Sequence, residues 1–372
     1  MKLRIDRAAL LKAMSRAQGV VERKNTIPIL ANVLLDARDD SLSLRATDLD
    51  IEIVEKIAGE IDRPGATTVA AHLLHEIVRK LPDGAELTLT AEPDTGRLEV
   101  SAGRSRFQLA TLPKEDFPMM ASAEFACDYT AAAPLLRRLF DKSKFAVSTE
   151  ETRYYLNGVF LHVAEDRDGK HLRAVATDGH RLARIDGELP EGADGAPGVI
   201  VPRKTVGELR KMLDDDDAAV AVSVSETKIR FAVDGLVLTS KVIDGAFPDY
   251  ARVIPAENDK RMEVEAQAFY KAVDRVATVS QERSRTVKLA LDEDRLVLSV
   301  NAPDAGSASE EVEVAYPFEP MEIGFNARYL LEIAGQIERE NAVFAFSDPG
   351  SPTVVSEGDD RSAIYVVMPM RV

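Results

Sequence analysis

The sequence predicts an α+β protein made of three topologically similar domains, and three observations lead to that class. Its 372 residues exceed a single domain of about 100–200 residues. Hydrophobic residues make up 45% and charged residues 30%, the balance of a folded chain rather than a disordered one. The same order of helical and alternating patterns returns about every 125 residues. We therefore expect domains at 1–125, 126–254 and 255–372.

Each predicted domain begins with a helix, because apolar residues recur at i, i+3 or i+4, and i+7. These apolar positions are Leu10, Met14, Ala17 and Val21, then Leu135, Leu139 and Phe140, and then Phe269, Val273 and Val276. Two strands with alternating apolar and polar residues follow. They lie at 32–38 and 41–48, at 158–166 and 171–178, and at 287–294 and 295–301. Further strands follow a second helix, which we expect at 72–82, 204–214 and 327–337. The polar stretch 186–198 predicts a surface loop.

Composition excludes several classes of protein. No apolar run approaches the roughly 18 residues that a membrane-spanning helix requires, and the first ten residues alternate charged and aliphatic side chains. The single cysteine, Cys127, can form neither an internal disulfide nor a cysteine metal cage. We therefore expect a cytoplasmic protein whose fold depends on neither oxidation nor zinc.

The sequence lacks the signatures of common enzyme classes. There is no GxxxxGK[ST], no GxGxxG after a strand, no HExxH and no GxSxG. The five histidines show no ligand spacing, so we predict no metal, no cofactor and no catalytic residue. Asp178 and His180 would suit a hydrolase triad, but without a serine motif a turn is the favoured interpretation. The acidic run 214–217 lacks the alternation and closing Glu of a calcium loop and indicates an exposed turn.

Charge is unevenly distributed along this acidic chain, whose formal net charge is −16. The six helical segments with their flanks hold 21 basic and nine acidic residues, so the remainder is strongly acidic. At 100° per residue the helix cations fall opposite the apolar stripes. The cations in question are Lys12, Arg16, Arg137, Lys144, Lys204, Lys211, Lys271 and Arg275. Either these are ordinary solvated helix faces, or they form one basic surface for an anion such as duplex phosphate.

Four motifs in one order resemble a known family. ATDGHRLA at 176–183, RYYLNGV at 153–159, FPDYARVIP at 247–255 and YVVMPMRV at 365–372 are similar to the bacterial DNA polymerase III beta subunit, the replicative sliding clamp. The resemblance covers the whole chain. It implies the DNA clamp fold: a head-to-tail homodimer forms a ring of six domains, with helices lining the hole and antiparallel sheets outside. Such a ring holds duplex DNA by linkage, without sequence preference and without catalysis.

The resemblance also implies three sets of site residues. A pocket for short peptides of the polymerase catalytic subunit, the clamp loader, other polymerases and repair proteins would be built from Tyr155, Leu156, Thr177, Gly179, His180, Arg181, Leu182, Pro248, Arg252, Val253, Asn326, Tyr329, Val366, Val367, Met368, Pro369 and Met370. Besides the helix cations, the DNA face would include Arg23, Lys24, Arg153 and Tyr154. The dimer contact would pair Arg104, Arg106, Phe107 and Leu109 with Thr278, Val279, Glu310 and Glu311.

Two limits accompany these expectations. The segment 347–360 departs from the family's pattern, so we expect no pocket residue from it. The alternative function is a protein-interaction scaffold that binds peptides in the same pocket and binds no DNA. Reversing the charge of the helix cations separates the two functions, because only a clamp would lose its hold on DNA.

Overall fold

The computed structural model describes residues 1–22, 26–92, 96–121, 124–167, 169–280, 286–303 and 305–371. Within these ranges the chain runs three times through a strand, a helix, a group of strands, a second helix and three further strands. The first repeat contains β1 (Lys2–Asp6), α1 (Arg7–Val20), β2 (Asn32–Arg38), β3 (Ser41–Thr47), β4 (Ile51–Ala58), β5 (Glu60–Arg63), β6 (Gly65–Ala70), α2 (Ala71–Lys80), β7 (Glu86–Glu92), β8 (Arg97–Ala102) and β9 (Ser105–Ala110).

The other two repeats follow the same order. The second contains β10 (Cys127–Ala132), α3 (Ala133–Asp141), β11 (Gly158–Asp166), β12 (Gly169–Thr177), β13 (Arg181–Glu188), β14 (Val199–Pro202), α4 (Arg203–Arg210), β15 (Ala219–Val224), β16 (Lys228–Val233) and β17 (Leu236–Lys241). The third contains β18 (Lys260–Glu265), α5 (Ala266–Ala277), β19 (Thr286–Asp292), β20 (Arg295–Ala302), β21 (Gly306–Glu313), β22 (Met321–Asn326), α6 (Ala327–Ala334), β23 (Asn341–Phe346), β24 (Thr353–Glu357) and β25 (Asp360–Val367).

The repeats combine into two units. The first unit comprises 1–136, 190–197 and 204–242, and its sheets have the orders β5-β1-β7-β8-β9 and β10-β15-β16-β17-β4-β3-β2-β6. The second unit comprises 137–189, 198–203 and 243–372, with the orders β14-β11-β12-β13-β25-β24-β23-β18 and β21-β20-β19-β22. All the strand pairings are antiparallel among the described residues, which together with the six helices confirms the α+β class.

Local sequence sets the helix starts and their buried faces. The Asp6 side chain accepts a hydrogen bond from the backbone N–H of Ala9 at 2.8 Å, which satisfies one free donor in the first turn of α1. Leu10, Met14 and Ala17 are fully buried, as the periodicity predicts. In each unit two helices pack together, α1 with α2 and α5 with α6, and both α1 and α5 also contact strands. The described residues contain no helix that is both long and apolar enough to cross a membrane.

Some predicted boundaries were wrong. The second helices end at Lys80, Arg210 and Ala334, several residues before the ends that periodicity alone suggested. Within the expected surface loop 186–198, residues 186–188 belong to β13, because the Asp186 carboxylate is buried against Arg173 on the neighbouring strand. Ala193 in the same stretch is also fully buried. The acidic run 214–217 is exposed, as predicted.

Candidate functional site

A tight turn between β12 and β13 is the centre of the candidate site in the second unit. The Asp178 carboxylate accepts hydrogen bonds from the backbone N–H groups of His180 at 2.9 Å and Arg181 at 3.0 Å. The Thr177 hydroxyl donates to the Arg181 carbonyl and accepts from the Gly179 N–H. Gly179 has φ +88°, a conformation that favours glycine. Asp178 is therefore occupied in shaping a turn, which excludes the hydrolase triad considered from the sequence.

Two further segments with exposed residues lie beside this turn, and we call the surface formed by all three the candidate groove. The groove comprises the turn 178–180, the segment 248–253 and the residues 368–370. Its exposed apolar side chains are Val253, Met368 and Met370, which are 47%, 38% and 39% exposed. Met and Val side chains at a surface can repack around varied apolar ligands.

Backbone hydrogen bonds hold the residues 368–370 beside the turn. The N–H of Met368 donates to the His180 carbonyl at 2.9 Å, and the N–H of Met370 donates to the Gly324 carbonyl at 2.8 Å. The His180 ring stacks on Tyr329, with 6.4 Å between ring centroids. Asn326 accepts from the Arg328 N–H and caps α6. Pro369, Asn326 and Tyr329 are half-buried, so α6 supports this side of the groove.

Several predicted pocket residues lie beneath the exposed surface of the groove. Successive side chains of a strand point to opposite faces of its sheet. Leu182 and Val366 therefore share one face with a buried apolar cluster, whereas Arg181 and Val367 lie on the other face. None of these four side chains is exposed, and the same holds for Leu156 and Thr177. They lie beneath the exposed side chains and support them.

Arg181 shows how firmly this support is built. Its guanidinium donates to Asp178, Glu332 and the Phe145 carbonyl, and it lies 4.4 Å from the centroid of the Tyr329 ring. Burial lowers the pKa of Arg181 from its ordinary value, and the nearby Asp178 opposes that shift. The side chain is only 5% exposed, and its contacts join the turn to α6.

The segment 248–253 lies over the outer face of the sheet. Phe247, just before it, stacks on Phe160 of β11 with 5.0 Å between centroids and an interplanar angle of 11°. Phe247, Tyr250 and Ile254 pack on the cluster that contains Leu182 and Val366. Pro248, Arg252 and Val253 are exposed, and Arg252 forms an ion pair only with Asp249 of its own segment among the described residues.

On the remaining side, residues 153–155 border the turn. A Cβ built on Gly179 would lie 2.5 Å from Nη1 of Arg153, so the absence of a side chain there lets Arg153 approach the turn. Tyr155 is half-buried and packs edge-on against Tyr154, which is 53% exposed. Arg153 is bound to Glu150 at 2.8 Å.

The predicted DNA-facing cations are less available than the helical wheel implied. Six of them form ion pairs within the chain, with carboxylates that stand three residues away or on a strand or turn that packs nearby. These pairs are Arg16 with Glu55, Lys144 with Asp141, Arg153 with Glu150, Lys204 with Asp48, Lys211 with Glu208 and Arg275 with Glu310. Only Lys12 and Lys271 are exposed and without an ion pair to any described residue.

Individual cations also depart from their predicted places. Arg16 is only 17% exposed, so it is largely withdrawn from the outer face of α1. Burial raises the pKa of its partner Glu55, and Arg16 opposes that shift. Lys144 lies in a short 3-10 helix after α3, and Arg137 is half-buried on α3. Arg23 and Lys24 lie outside the described residues.

Five of the eight predicted dimer residues lie on two strands with a free edge, whereas Arg104 precedes β9 and Thr278 and Val279 follow α5. β9 is the last strand of its sheet in the first unit, and β21 is the last strand of its sheet in the second. Arg104 and Arg106 at β9 are exposed, and Glu311 on β21 is exposed as well. Glu310 is half-buried, and its hydrogen bond to Arg275 lowers its pKa. Leu109 is buried within its own unit, so of the two apolar residues proposed on β9 only the half-buried Phe107 remains accessible.

Sequence reasoning missed the residues that support the groove from below. Phe145 and Glu332 bind Arg181, and His162 bonds to Tyr250. Nothing in their spacing marks them, because they come from elements far apart in the chain. Tyr250 is the exception, since it stands inside the recognised motif FPDYARVIP.

Comparisons with known proteins agree with this architecture. Models of the DNA polymerase III beta subunit match its N-terminal domain at residues 1–121, its central domain at 131–249 and its C-terminal domain at 251–371. The chain is 55% identical to the Beta sliding clamp of Caulobacter vibrioides and 39% identical to that of Escherichia coli, and each match covers 100% of both chains.

Solved structures give the same answer. A DnaN sliding clamp from Bartonella birtlesii bound to griselimycin superposes with a TM-score of 0.97 at 50% identity, over 100% of both chains. A Caulobacter crescentus beta sliding clamp, with polyethylene glycol at a proposed beta-motif tethering region, also has a TM-score of 0.97 at 55% identity, over 100% of this chain and 99% of that one. The resemblance seen in the sequence is thus confirmed, and the chain belongs to the DNA polymerase III beta subunit family, the non-catalytic sliding clamps that serve as processivity factors.

Proposed function

We propose that two copies of this chain close head to tail into a ring around duplex DNA in the bacterial cytoplasm. The basic helices face the DNA, and the sheets form the outside of the ring. Linkage retains the ring, so the attraction to phosphate can be weak and blind to sequence, and sliding stays easy. Only Lys12 and Lys271, among the predicted DNA-facing cations, are exposed and form no ion pair with a described residue. This small number supports a weak attraction to DNA.

The charges of the two free sheet edges carry this proposal. A free strand edge offers unpaired backbone N–H and C=O groups to another strand. β9 has exposed arginines at Arg104 and Arg106, whereas β21 has Glu310 and Glu311. Each edge is therefore complementary to the other and repels a second copy of itself, which specifies a head-to-tail contact. Phe107, Thr278 and Val279 supply the adjoining apolar and polar surface.

A charge-swap experiment tests the ring. Arg106→Glu should shift the sedimentation coefficient from dimer to monomer and abolish retention on nicked circular DNA. Adding Glu311→Arg should restore both properties, because the two substitutions reverse the charges of the proposed contact between Arg106 and Glu311 and keep them opposite. Arg38→Glu is the matched control, since Arg38 is an exposed arginine at the end of β2. A wild-type chain that stays monomeric, or leaves nicked circles as fast as linear DNA, would refute the ring.

We further propose that the candidate groove binds short peptides with apolar anchors. Its partners would be the polymerase catalytic subunit, the clamp loader, and other polymerases and repair proteins. Griselimycin, which is bound in the structure of the Bartonella birtlesii relative, should bind in the candidate groove of this chain. The exposed Val253, Met368 and Met370 beside a rigid turn support this assignment.

A polar substitution in the groove separates peptide binding from ring formation. Met368→Asp should abolish calorimetric binding of griselimycin, because it places a charge at an apolar contact. The same variant should sediment like the wild type, since Met368 lies outside both predicted edges. Unchanged binding of griselimycin by Met368→Asp would place the ligand elsewhere.

A further inference from the structure

The wall of the groove formed by 248–253 has no deep anchor of its own. Residues Tyr250–Arg252 form a short 3-10 helix without a fully buried side chain. Its position over the sheet depends on the apolar packing of Tyr250 and of the flanking Phe247 and Ile254, and on what the Tyr250 hydroxyl binds. Apolar packing is not directional, whereas hydrogen bonds to the Tyr250 hydroxyl fix the direction in which that side chain lies.

The Tyr250 hydroxyl lies in a directional chain of hydrogen bonds. Nη1 of Arg173 donates to Oη of Tyr250 at 3.3 Å. Oη lies 3.0 Å from Nε2 of His162, whose Nδ1 lies 2.9 Å from the carbonyl oxygen of Val163. A carbonyl oxygen only accepts, so Nδ1 of His162 carries the proton and Nε2 is the acceptor for the tyrosine hydroxyl. The chain is complete only while the imidazole is neutral.

Protonation of His162 would disrupt this chain. Nε2 would then carry a hydrogen directed at Oη, which already accepts from Arg173, and the tyrosine proton would lose its acceptor. A cationic ring would also stand near the Arg173 guanidinium. Asp186 is the compensating charge, but both of its oxygens already accept hydrogen bonds from Arg173.

We propose that neutral His162 is a positioning residue for the groove: through the Tyr250 hydroxyl it holds the wall 248–253, and its protonation loosens that wall and weakens peptide binding. The inference rests on the proposed peptide-binding function of the groove.

The direction of the pH response follows from the surroundings of the ring. The charged and titratable groups facing it are Arg173 from β12, Asp186 from β13 and Tyr250 from the wall. Burial lowers the pKa of His162 below its ordinary value, and Arg173 lowers it further, while the Val163 carbonyl and Asp186 oppose the shift. When the wall opens, water restores the ordinary pKa of about 6.5. The wall is therefore held fully above about pH 6.5 and released progressively as the pH falls below that value.

Calorimetry with griselimycin over a pH series tests the proposal. The wild-type Kd should be constant above about pH 7 and rise progressively below about pH 6.5. Tyr250→Phe keeps the ring and its packing but removes the hydroxyl, and should weaken binding about threefold to tenfold at about pH 8. Its Kd should then change much less with pH. A Tyr250→Phe variant with wild-type affinity and a wild-type pH profile would overturn the proposal.

Two further variants separate positioning from general stability. His162→Phe keeps a ring beside Phe160 and removes the acceptor, so it should match Tyr250→Phe, and the double variant should be no weaker than either. Tyr316→Phe is the matched control, because Tyr316 is fully buried in the same unit and donates to the Glu319 carbonyl at 3.0 Å. Tyr316→Phe should retain the wild-type pH profile even if it lowers stability.

Hydrogen exchange tests the wall without any ligand. The N–H of Val253 donates to the Tyr250 carbonyl at 3.0 Å, so its exchange reports opening of the wall. After correction for intrinsic rates, its protection should fall from about pH 8 to about pH 5.5 in the wild type. Tyr250→Phe should already lack that protection at the higher pH. If protection follows pH but griselimycin does not bind, the proposed groove function fails and the positioning role stands; if protection is independent of pH, the positioning role fails.

Discussion

Replacing Lys12 and Lys271 by glutamine should remove most of the salt dependence that the described helix cations give to DNA binding. These two lysines are exposed and form no ion pair with any described residue. Six other predicted DNA-facing cations are held by carboxylates of the same chain, so binding a phosphate would require each of them to leave a partner. When such a cation leaves its carboxylate partner for a DNA phosphate, few counterions are released.

The expected magnitude follows from counting. Each neutralised phosphate contributes about −0.9 to the slope of log affinity against log salt concentration. Two lysines per chain make four per ring, which gives a contribution of about −4. If all nine described cations of each chain acted, the contribution would be about −16. The double substitution should therefore reduce the slope by about 4, with little change at high salt.

Fluorescence anisotropy of a labelled short duplex across a NaCl series measures this slope. Lys288→Gln is the control, because Lys288 lies on β19 and already pairs with Glu322 at 2.9 Å. Sedimentation should show that the double variant remains dimeric. The reasoning is refuted if Lys12→Gln with Lys271→Gln leaves the slope unchanged, or if the wild-type slope approaches −16, about the value for all nine cations.

Two predictions concern stability. Lys142→Met should destabilise the protein by about 3–5 kcal/mol in urea denaturation followed by circular dichroism, because it leaves Glu357 buried without its cation. Lys288→Met, which breaks an exposed pair, should cost less than about 1 kcal/mol in the same assay, and equal losses would contradict the argument. Gly158→Ala should lower the free energy of unfolding by about 1–3 kcal/mol, since its Cβ would lie 2.4 Å from the Val201 carbonyl oxygen. An unchanged melting temperature would show that β14 moves away from the added methyl group without loss of stability, which would contradict the prediction.

The periodicity of apolar residues predicted the fold well, because their spacing reflects which side chains are buried. The strand at 158–166 lies where alternation placed it, and the stripe Phe269, Val273 and Val276 is buried. Helix ends were less predictable, since periodicity continues through residues such as Leu81 that pack without helical geometry. In α3 the predicted Leu139 and Phe140 are buried, but the third buried leucine or phenylalanine is Leu136, and the expected Leu135 is only half-buried.

The site was harder to predict, because sequence gives residue types but not distances. Motif matching brought Gly179 and Met368 to one surface, and the structure places them there. It could not tell that Val367 faces away from Leu182, which depends on strand register. The wheel put Arg16 on an outer face, yet the Glu55 carboxylate from β4 draws it inward. Ion pairs between distant segments decide which charges remain free.

The opposite charges of β9 and β21 also bear on how a ring would resist opening. A chain that joins its partner at one edge still has a complementary edge to fill, and the partner's matching strand is then tethered close by. The second junction forms at a high effective concentration and without a further loss of translational freedom. If one junction opened, it would close again far faster than two separate chains could meet. Release of the ring from DNA would therefore require one junction to be opened and held open.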